Sequence, residues 1–557
     1  MPDLAASPVA ASTIGRSKWK WPADRVFLGM SILIVLLAAS LRIYHVSQRS
    51  LWLDEAIAAN ISRGTLSQTL VLTRGFHSAP IIHPALLYAI EKISAGPLAV
   101  RFPSLVASVM AVVLMLCFVT IPAIDCKAAG LAALMLSVSA TQIRYAQEVR
   151  EYSLAVLYAG VLTYVFLSYV SKKEESNPPV LLCLSLFAAP LVQYGLVLFS
   201  CGILSALLVL AFAGKTPRPK LAQIMAASAC LGLGSLVSFL LTLRYQWGDD
   251  AWYLKDHFWT PGSNIFRFIE ANTHGLITWL LPGLAAGSIS VLAILICLVV
   301  SIRARIVPPV ALLACTSCGI VLVCSILHLY PYGGIRQCLF LTPVLCLLAS
   351  MSLVQLANKF TGSASVLIFS GIICVVLVSG AFQIRLLKPY AEVEDIQQVL
   401  LSLRSQIQPG DAVYIYPGAV FAVDFYVKDR DPRFIYGNYH QQAPEDYVPE
   451  MLAGLYSRAS RVWIVFSHVY RDEDQRILHD LSGDWKVEPV LSAQGSALYL
   501  VSRRPLLTAT ATTGSANTSD ATPTTTLGAD HTHDSFWEWN IRNSRQTFQK
   551  ATAAVRN

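Results

Sequence analysis

Ionisable residues are sparse in this chain and gather at a few points, each beside a long apolar run. Ionisable groups placed at a membrane edge are functional candidates by default. Four clusters carry residue types that could do chemistry. The segment Leu51-Trp52-Leu53-Asp54-Glu55-Ala56 offers two adjacent carboxylates, and a positioned carboxylate can take a proton from an attacking hydroxyl. The same pattern also suits the solvated face of a short interfacial helix, anchored by Leu51, Leu53 and Ile57 with Trp52 at headgroup level. His83-Pro84 and Arg101-Phe102-Pro103-Ser104 supply an imidazole and a guanidinium, either contacting a substrate or serving as a packed histidine and a snorkelling arginine. Arg144-Tyr145-Ala146-Gln147-Glu148-Val149-Arg150-Glu151-Tyr152 packs two arginines and two glutamates between two apolar runs. They read as a helix-end ion-pair network or as a lined site, with Arg144 and Arg150 for a phosphate, Glu148 as a second carboxylate and Tyr152 beside them. In Tyr330-Pro331-Tyr332-Gly333-Gly334-Ile335-Arg336-Gln337 the glycines permit close backbone approach. Arg336 offers a forked charge suited to phosphate, or it snorkels.

The elements that must position these clusters are membrane spans. The chain has 557 residues, 55% hydrophobic and 14% charged, where a soluble domain carries roughly 25% charged residues. Apolar runs of about 18 residues with few charges read as spans. Such runs cover 26–43, 102–121, 153–170, 221–243, 277–302, 309–328, 339–356 and 363–384, with a shorter one at 131–143. The run 180–213 is too long for one span and contains Pro190 and Gly195, so it reads as two short ones. The total is about eleven.

Arg16, Lys18, Lys20 and Arg25 precede the first run, and no small-residue cleavage site follows it. It reads as an uncleaved span with a cytoplasmic basic N-terminus over 1–25. Alternating sides from there leaves Lys127, Lys172, Lys173, Lys215, Arg218, Lys220, Arg303, Arg305 and Lys359 in short cytoplasmic loops, as the positive-inside rule expects. All four chemical clusters then fall on the opposite face of a membrane domain spanning 26–388.

From 389 to 504 the composition becomes that of a soluble α/β domain, placed outside the cytoplasm. A helix with one apolar face over 392–407 leads to a buried strand at 412–416, a second at 461–467, a helix over 472–481 and a terminal strand pair at 486–490 and 497–501. The order β-α-β predicts a parallel core. The Thr/Ala/Ser/Gly-rich stretch within 505–557 cannot bury a core and is expected to be mostly disordered.

The net charge of +8 is scattered over loops and helix ends with no basic stripe, so it points to orientation signals and lipid headgroups rather than nucleic acid. None of the twelve cysteines lies beyond Cys374, and all sit in or beside apolar runs, which argues against a disulfide framework. Cys315 and Cys318 have metal-like spacing but no second ligand pair, so they read as packing residues. No Walker-type glycine loop is present for a nucleotide donor.

Taken together, LWLDEA after the first span, HP at His83-Pro84, RFPS at 101–104, YAQEVREYSL at 145–154 and RQCLFLTPVL at 336–345 resemble the GT-C class of membrane glycosyltransferases. The resemblance is to the bacterial branch related to protein O-mannosyltransferases and the lipid A aminoarabinose transferase, and it runs in order over about 42–384. It implies that Asp54 is the catalytic base, with Glu55 beside it, and that Glu148 is a supporting second acid. Arg336 would hold the donor phosphate, with His83, Arg101, Arg144, Arg150 and Tyr152 as further substrate contacts. It leaves open a divalent metal near Glu148, where relatives commonly carry an aspartate; Ala85 stands where they commonly carry a second proline. The implied reaction moves a sugar from a polyprenyl-phosphate donor to a hydroxyl of a glycan, lipid or protein, outside a bacterial plasma membrane and with inversion. A flippase or transporter for a lipid-linked saccharide is the alternative. It would place polar residues along the middle of several spans or show inverted repeats, whereas the charges here cluster at one face and no repeat is seen.

Overall fold

The computed structural model describes residues 21–76, 79–171, 179–213, 221–246, 252–282, 308–391, 393–427, 431–437, 459–470, 472–483 and 485–503, with a few positions between 287 and 295. The basic N-terminus up to Lys20, the loops carrying Lys172, Lys173, Lys215, Arg218, Lys220, Arg303 and Arg305, and the tail after 503 lie outside the described residues. The chain is an integral membrane protein built as a helical bundle with a small sheet domain at its C-terminal end. Among the described residues, eight helices are long and apolar enough to cross a bilayer, and a bent pair makes a ninth. Val180–Val192 is a further, shorter apolar helix.

Two helix breaks have reasons visible in their residues. Helix Val180–Val192 contains Pro190, and Gln193 is extended before Gly195 opens the next helix, which runs to Phe212. Cys126–Val138 and Ala140–Ala146 meet at Ser139, whose extended backbone bends the pair by 63°. Such a break frees backbone groups that hydrocarbon cannot satisfy. Here protein satisfies them: the fully buried Arg42 guanidinium donates to Leu136 O and Ser137 O at 3.0 Å each. Gln383 Oε1 accepts from Ala140 N at 3.1 Å. One expected span begins differently. Ile277 is not the start of an apolar helix but lies near the end of an amphipathic one, Ile265–Leu280, which stops at the extended Leu281. The polar side chains of 264–274 hold that helix at the surface, and most of 277–302 lies outside the described residues.

Arg336–Ala357 forms the centre of the bundle, with 78% of its apolar window buried, against 17% for the first span and for Ser363–Leu387 at the lipid-facing rim. The clusters carrying ionisable residues therefore come to one end of the bundle, around the head of the most enclosed helix.

The last span leads directly into the sheet domain. Its strands β1 (Ala412–Ile415), β2 (Phe434–Tyr436), β3 (Arg461–Ser467), β4 (Trp485–Ala493) and β5 (Ser496–Arg503) lie in the order β2-β1-β3-β5-β4. β1 runs parallel to β2 and β3, and β5 and β4 add an antiparallel pair. The short β2 is too brief to stand out in sequence. The loop after the first span packs on this domain. Helix Leu53–Ile61 lies against Val420–Tyr426, with Leu51, Ala56, Ile57, Phe421 and Phe425 in one apolar cluster.

Candidate active site

Asp54 and Glu55 begin helix Leu53–Ile61, and adjacent helical residues point about 100° apart. Glu55 points inward and is fully buried. Its carboxylate takes Arg101 Nε at 3.0 Å and Arg101 Nη2 at 2.7 Å, and also the backbone N–H of Val149 at 2.9 Å. A guanidinium has five N–H donors. Arg101 directs the remaining three at Val46 O, Arg49 O and Ser50 O, at 2.8, 2.8 and 3.0 Å. Every Arg101 donor is thus occupied, and the side chain has no exposure. Glu55 likewise joins three segments, the loop after the first span, the second span and the loop holding Val149, and is not poised to accept a proton.

Asp54 points the other way, with its side chain 25% exposed. Arg336 Nη1 donates to its Oδ2 at 3.2 Å, and Arg150 Nη1 lies 3.8 Å from the same oxygen. Both guanidiniums lie 5.8 Å from the centroid of the buried Tyr152 ring, which orients them. Burial alone would lower the Arg150 pKa, but Asp54, Tyr152 and Glu151 outweigh it and raise it, so this cation is permanent. Three sequence clusters, 54, 150–152 and 336, thus meet at one point. Hydrogen bonds hold the second loop there: Ser104 Oγ donates to Arg150 O at 2.9 Å, and Gln147 Nε2 to Arg42 O and Tyr44 O at 2.9 and 2.7 Å. Gly333, at φ +141°, and Gly334 let the fourth cluster approach the 252–282 segment. A Cβ on Gly334 would fall 2.7 Å from Gly275 O.

The remaining expected residues stand around this centre. His83 is buried, and burial and then the charge of Arg150 push its pKa down to about 3, so the imidazole is neutral. Arg144 is 40% exposed and pairs with Glu148 at 3.1 Å, one turn along the chain. Burial raises the Glu148 pKa, a shift that Arg144 opposes. Asp54 faces two guanidiniums, both Glu55 oxygens are occupied, and Glu148 Oε1 pairs with Arg144 while its buried Oε2 has no hydrogen-bond partner among the described residues; no three His, Cys, Asp or Glu side chains converge among the described residues.

Sequence reasoning overlooked Glu394 and His468. Glu394 Oε2 accepts from Leu53 N at 3.0 Å, capping the Asp54 helix from the C-terminal domain, while Oε1 holds His468 Nδ1 at 2.6 Å. Burial would lower the His468 pKa, but the Glu394 bond and the charges of Glu394 and Asp54 raise it. His468 follows the C-terminal end of β3, where α/β sheets commonly place functional residues; that was the available signal.

No protein-family model and no curated protein matches the sequence. The fold does have solved counterparts. The crystal structure of ArnT from Cupriavidus metallidurans in the apo state superposes with a TM-score of 0.55 at 13% identity, covering 85% of this chain and 98% of that one. The same protein bound to undecaprenyl phosphate gives 0.54 at 12% identity, over 86% and 98%. The apo oligosaccharyltransferase of Archaeoglobus fulgidus gives 0.50 at 10% identity, over 80% and 70%. The chain therefore has the fold of the GT-C membrane glycosyltransferases.

Proposed function

We propose that the protein is a glycosyltransferase that moves a sugar from a polyprenyl-phosphate donor to an acceptor hydroxyl at the outer face of the bacterial plasma membrane. The observation that carries this reading is the convergence of Asp54 with Arg150 and Arg336 at one end of an apolar bundle of GT-C fold. ArnT, of the same fold, has been crystallised with undecaprenyl phosphate, a ligand whose tail belongs in lipid and whose phosphate suits paired guanidiniums.

In this reading Arg336 and Arg150 turn their forks to the donor phosphate and stabilise it as it leaves, a term often worth several kcal/mol. Asp54 then accepts the proton of the acceptor hydroxyl. That oxygen attacks the anomeric carbon opposite the breaking carbon–oxygen bond, which inverts configuration. General-base action of this kind contributes about 10²–10⁴-fold. No metal is assigned a step, so a chelator is expected to leave turnover unchanged. Glycan, lipid and protein hydroxyls all fit as acceptors.

The test follows release of undecaprenyl phosphate from undecaprenyl-phosphate sugars by the purified protein with candidate acceptors. Arg336→Ala is expected to abolish release, and Arg336→Lys to retain a fraction, since a point charge replaces a planar fork. Wild-type turnover in Arg336→Ala would return that arginine to an orientation role.

A further inference from the structure

Behind the Asp54 centre lie buried oxygens that the chemistry above does not use. Glu151, 3% exposed, has Oε2 3.9 Å from Arg150 Nε, beyond hydrogen-bond reach, and that oxygen accepts no hydrogen bond among the described residues. Gln193, 6% exposed, is held extended in the break between two spans, and its Oε1 is also without a donor among the described residues. The buried Oε1 of Gln337 is the third such atom. Tyr330 links them. Its hydroxyl donates to Gln337 O at 2.9 Å and accepts from Gln193 Nε2 at 3.3 Å, which fixes the amide with its oxygen turned elsewhere. The charge of Glu151 acts on the hydroxyls of Tyr152, Tyr194 and Tyr330, placing it in the same group. Glu151 and Gln337 are the chain neighbours of Arg150 and Arg336, so the group adjoins the two guanidiniums across Tyr152. Gly195 permits the close approach of Tyr330, Phe340 and the Gln193 oxygen, because a Cβ there would run into all three.

Buried polar atoms in native proteins nearly always have partners, so three acceptors lacking donors in one neighbourhood call for a ligand that brings donors. A phosphate diester monoanion brings none. The hydroxyl groups of a sugar do. We propose that Glu151, Gln193 and Gln337 form the recognition pocket for the sugar headgroup of the donor, reading hydroxyl positions while Arg150 and Arg336 hold the phosphate. The proposal rests on the donor class assigned above and adds the residues that choose among sugars. Sites built to bond a hydroxyl discriminate strongly against ligands lacking it, because the buried acceptor is then left unpaired.

The test measures equilibrium binding to the full-length protein in lipid nanodiscs without acceptor. The probes are undecaprenyl phosphate alone and undecaprenyl phosphate carrying glucose, mannose, galactose or arabinose, together with their monodeoxy analogues. Wild type is expected to bind at least one sugar-bearing lipid more tightly than undecaprenyl phosphate. Gln193→Leu, Gln337→Leu and Glu151→Gln should each reduce that gain by about tenfold, while affinity for undecaprenyl phosphate alone changes less than about twofold. Removing one hydroxyl from the preferred sugar should weaken wild-type binding, and that penalty should vanish in the matching variant. Wild type gaining nothing from any sugar, as when water alone occupies the pocket, overturns the proposal, as do variants that keep the full gain. Failure of wild type to bind undecaprenyl phosphate at all would overturn the donor class itself, and the pocket with it.

Discussion

Asp54 and Glu55 are neighbours in sequence and opposites in environment. Asp54 shares a partly exposed face with two guanidiniums, whereas Glu55 is sealed inside a five-donor network with Arg101. Their conservative amides should therefore fail differently. Asp54→Asn keeps size and hydrogen bonding but removes the proton acceptor, so turnover should fall by about 10²-fold or more with normal expression and thermal stability. Glu55→Gln leaves Arg101 as an uncompensated buried charge, which costs about 3–5 kcal/mol. Its expected signature is a lowered Tm and poor yield. A stable Glu55→Gln protein without activity would move the base to Glu55. His83 adds a pH signature. Its folded pKa, about 3, lies below the ordinary 6.5, so between these values the unfolded chain binds the extra proton. Stability conferred by neutral His83 is then complete above about 6.5 and declines as pH falls towards 3. Acid-denaturation curves of His83→Gln should be flatter than wild type through that window.

At the scale of elements, the Asp54 helix is nine residues long and has no side-chain cap of its own, since Trp52 stands at its N-cap. Its N-terminal cap comes from Glu394, 341 residues away. Asn60 Nδ2 donates to Phe421 O at 2.7 Å, and Arg63 donates to Asp424 O and Phe425 O at 3.0 Å each. A cap is worth about 1 kcal/mol, enough to change how well Asp54 is aimed without unfolding the bundle. Glu394→Ala is expected to lower kcat several-fold at unchanged donor affinity and to speed proteolysis within the loop after the first span, while Glu394→Gln, which keeps the acceptor, restores most of both. Equal kcat in all three proteins would mean that the domain grips the loop without tuning the base.

Over the whole molecule, the four clusters and the sheet domain share one end of the bundle. Under the orientation proposed from the positive-inside pattern, that end lies outside the cytoplasm. A phosphatase fused after Arg504 should be active, and a reporter that works only in the cytoplasm should be silent there. The reverse pattern would invert the topology and put the site on the cytoplasmic face. The sheet domain buries Trp463 and Trp485 in its own core while sharing a second apolar cluster with the loop after the first span. It therefore acts as a structural part of the site and not as a detachable appendage.

Composition and periodicity determined the membrane architecture, because hydrocarbon imposes length and polarity rules that each span obeys alone; Pro190 and Gly195 marked a break for the same local reason. The β-α-β order and the terminal hairpin were likewise legible from alternation and turns. Motif order along the chain placed Asp54, Arg150, Tyr152 and Arg336 among the candidates. Only the tertiary structure could decide which of them face one another. Arg101 and Arg336 are both arginines at the outer end of a span, yet one has every donor occupied by Glu55 and backbone carbonyls and the other reaches Asp54. The partner that seals Arg101 lies 46 residues away, and the Asp54 that Arg336 meets lies 282 away. Glu394, His468 and Gln193 were silent for the same reason: an unremarkable polar residue gains its role from neighbours that packing, and not spacing, brings to it.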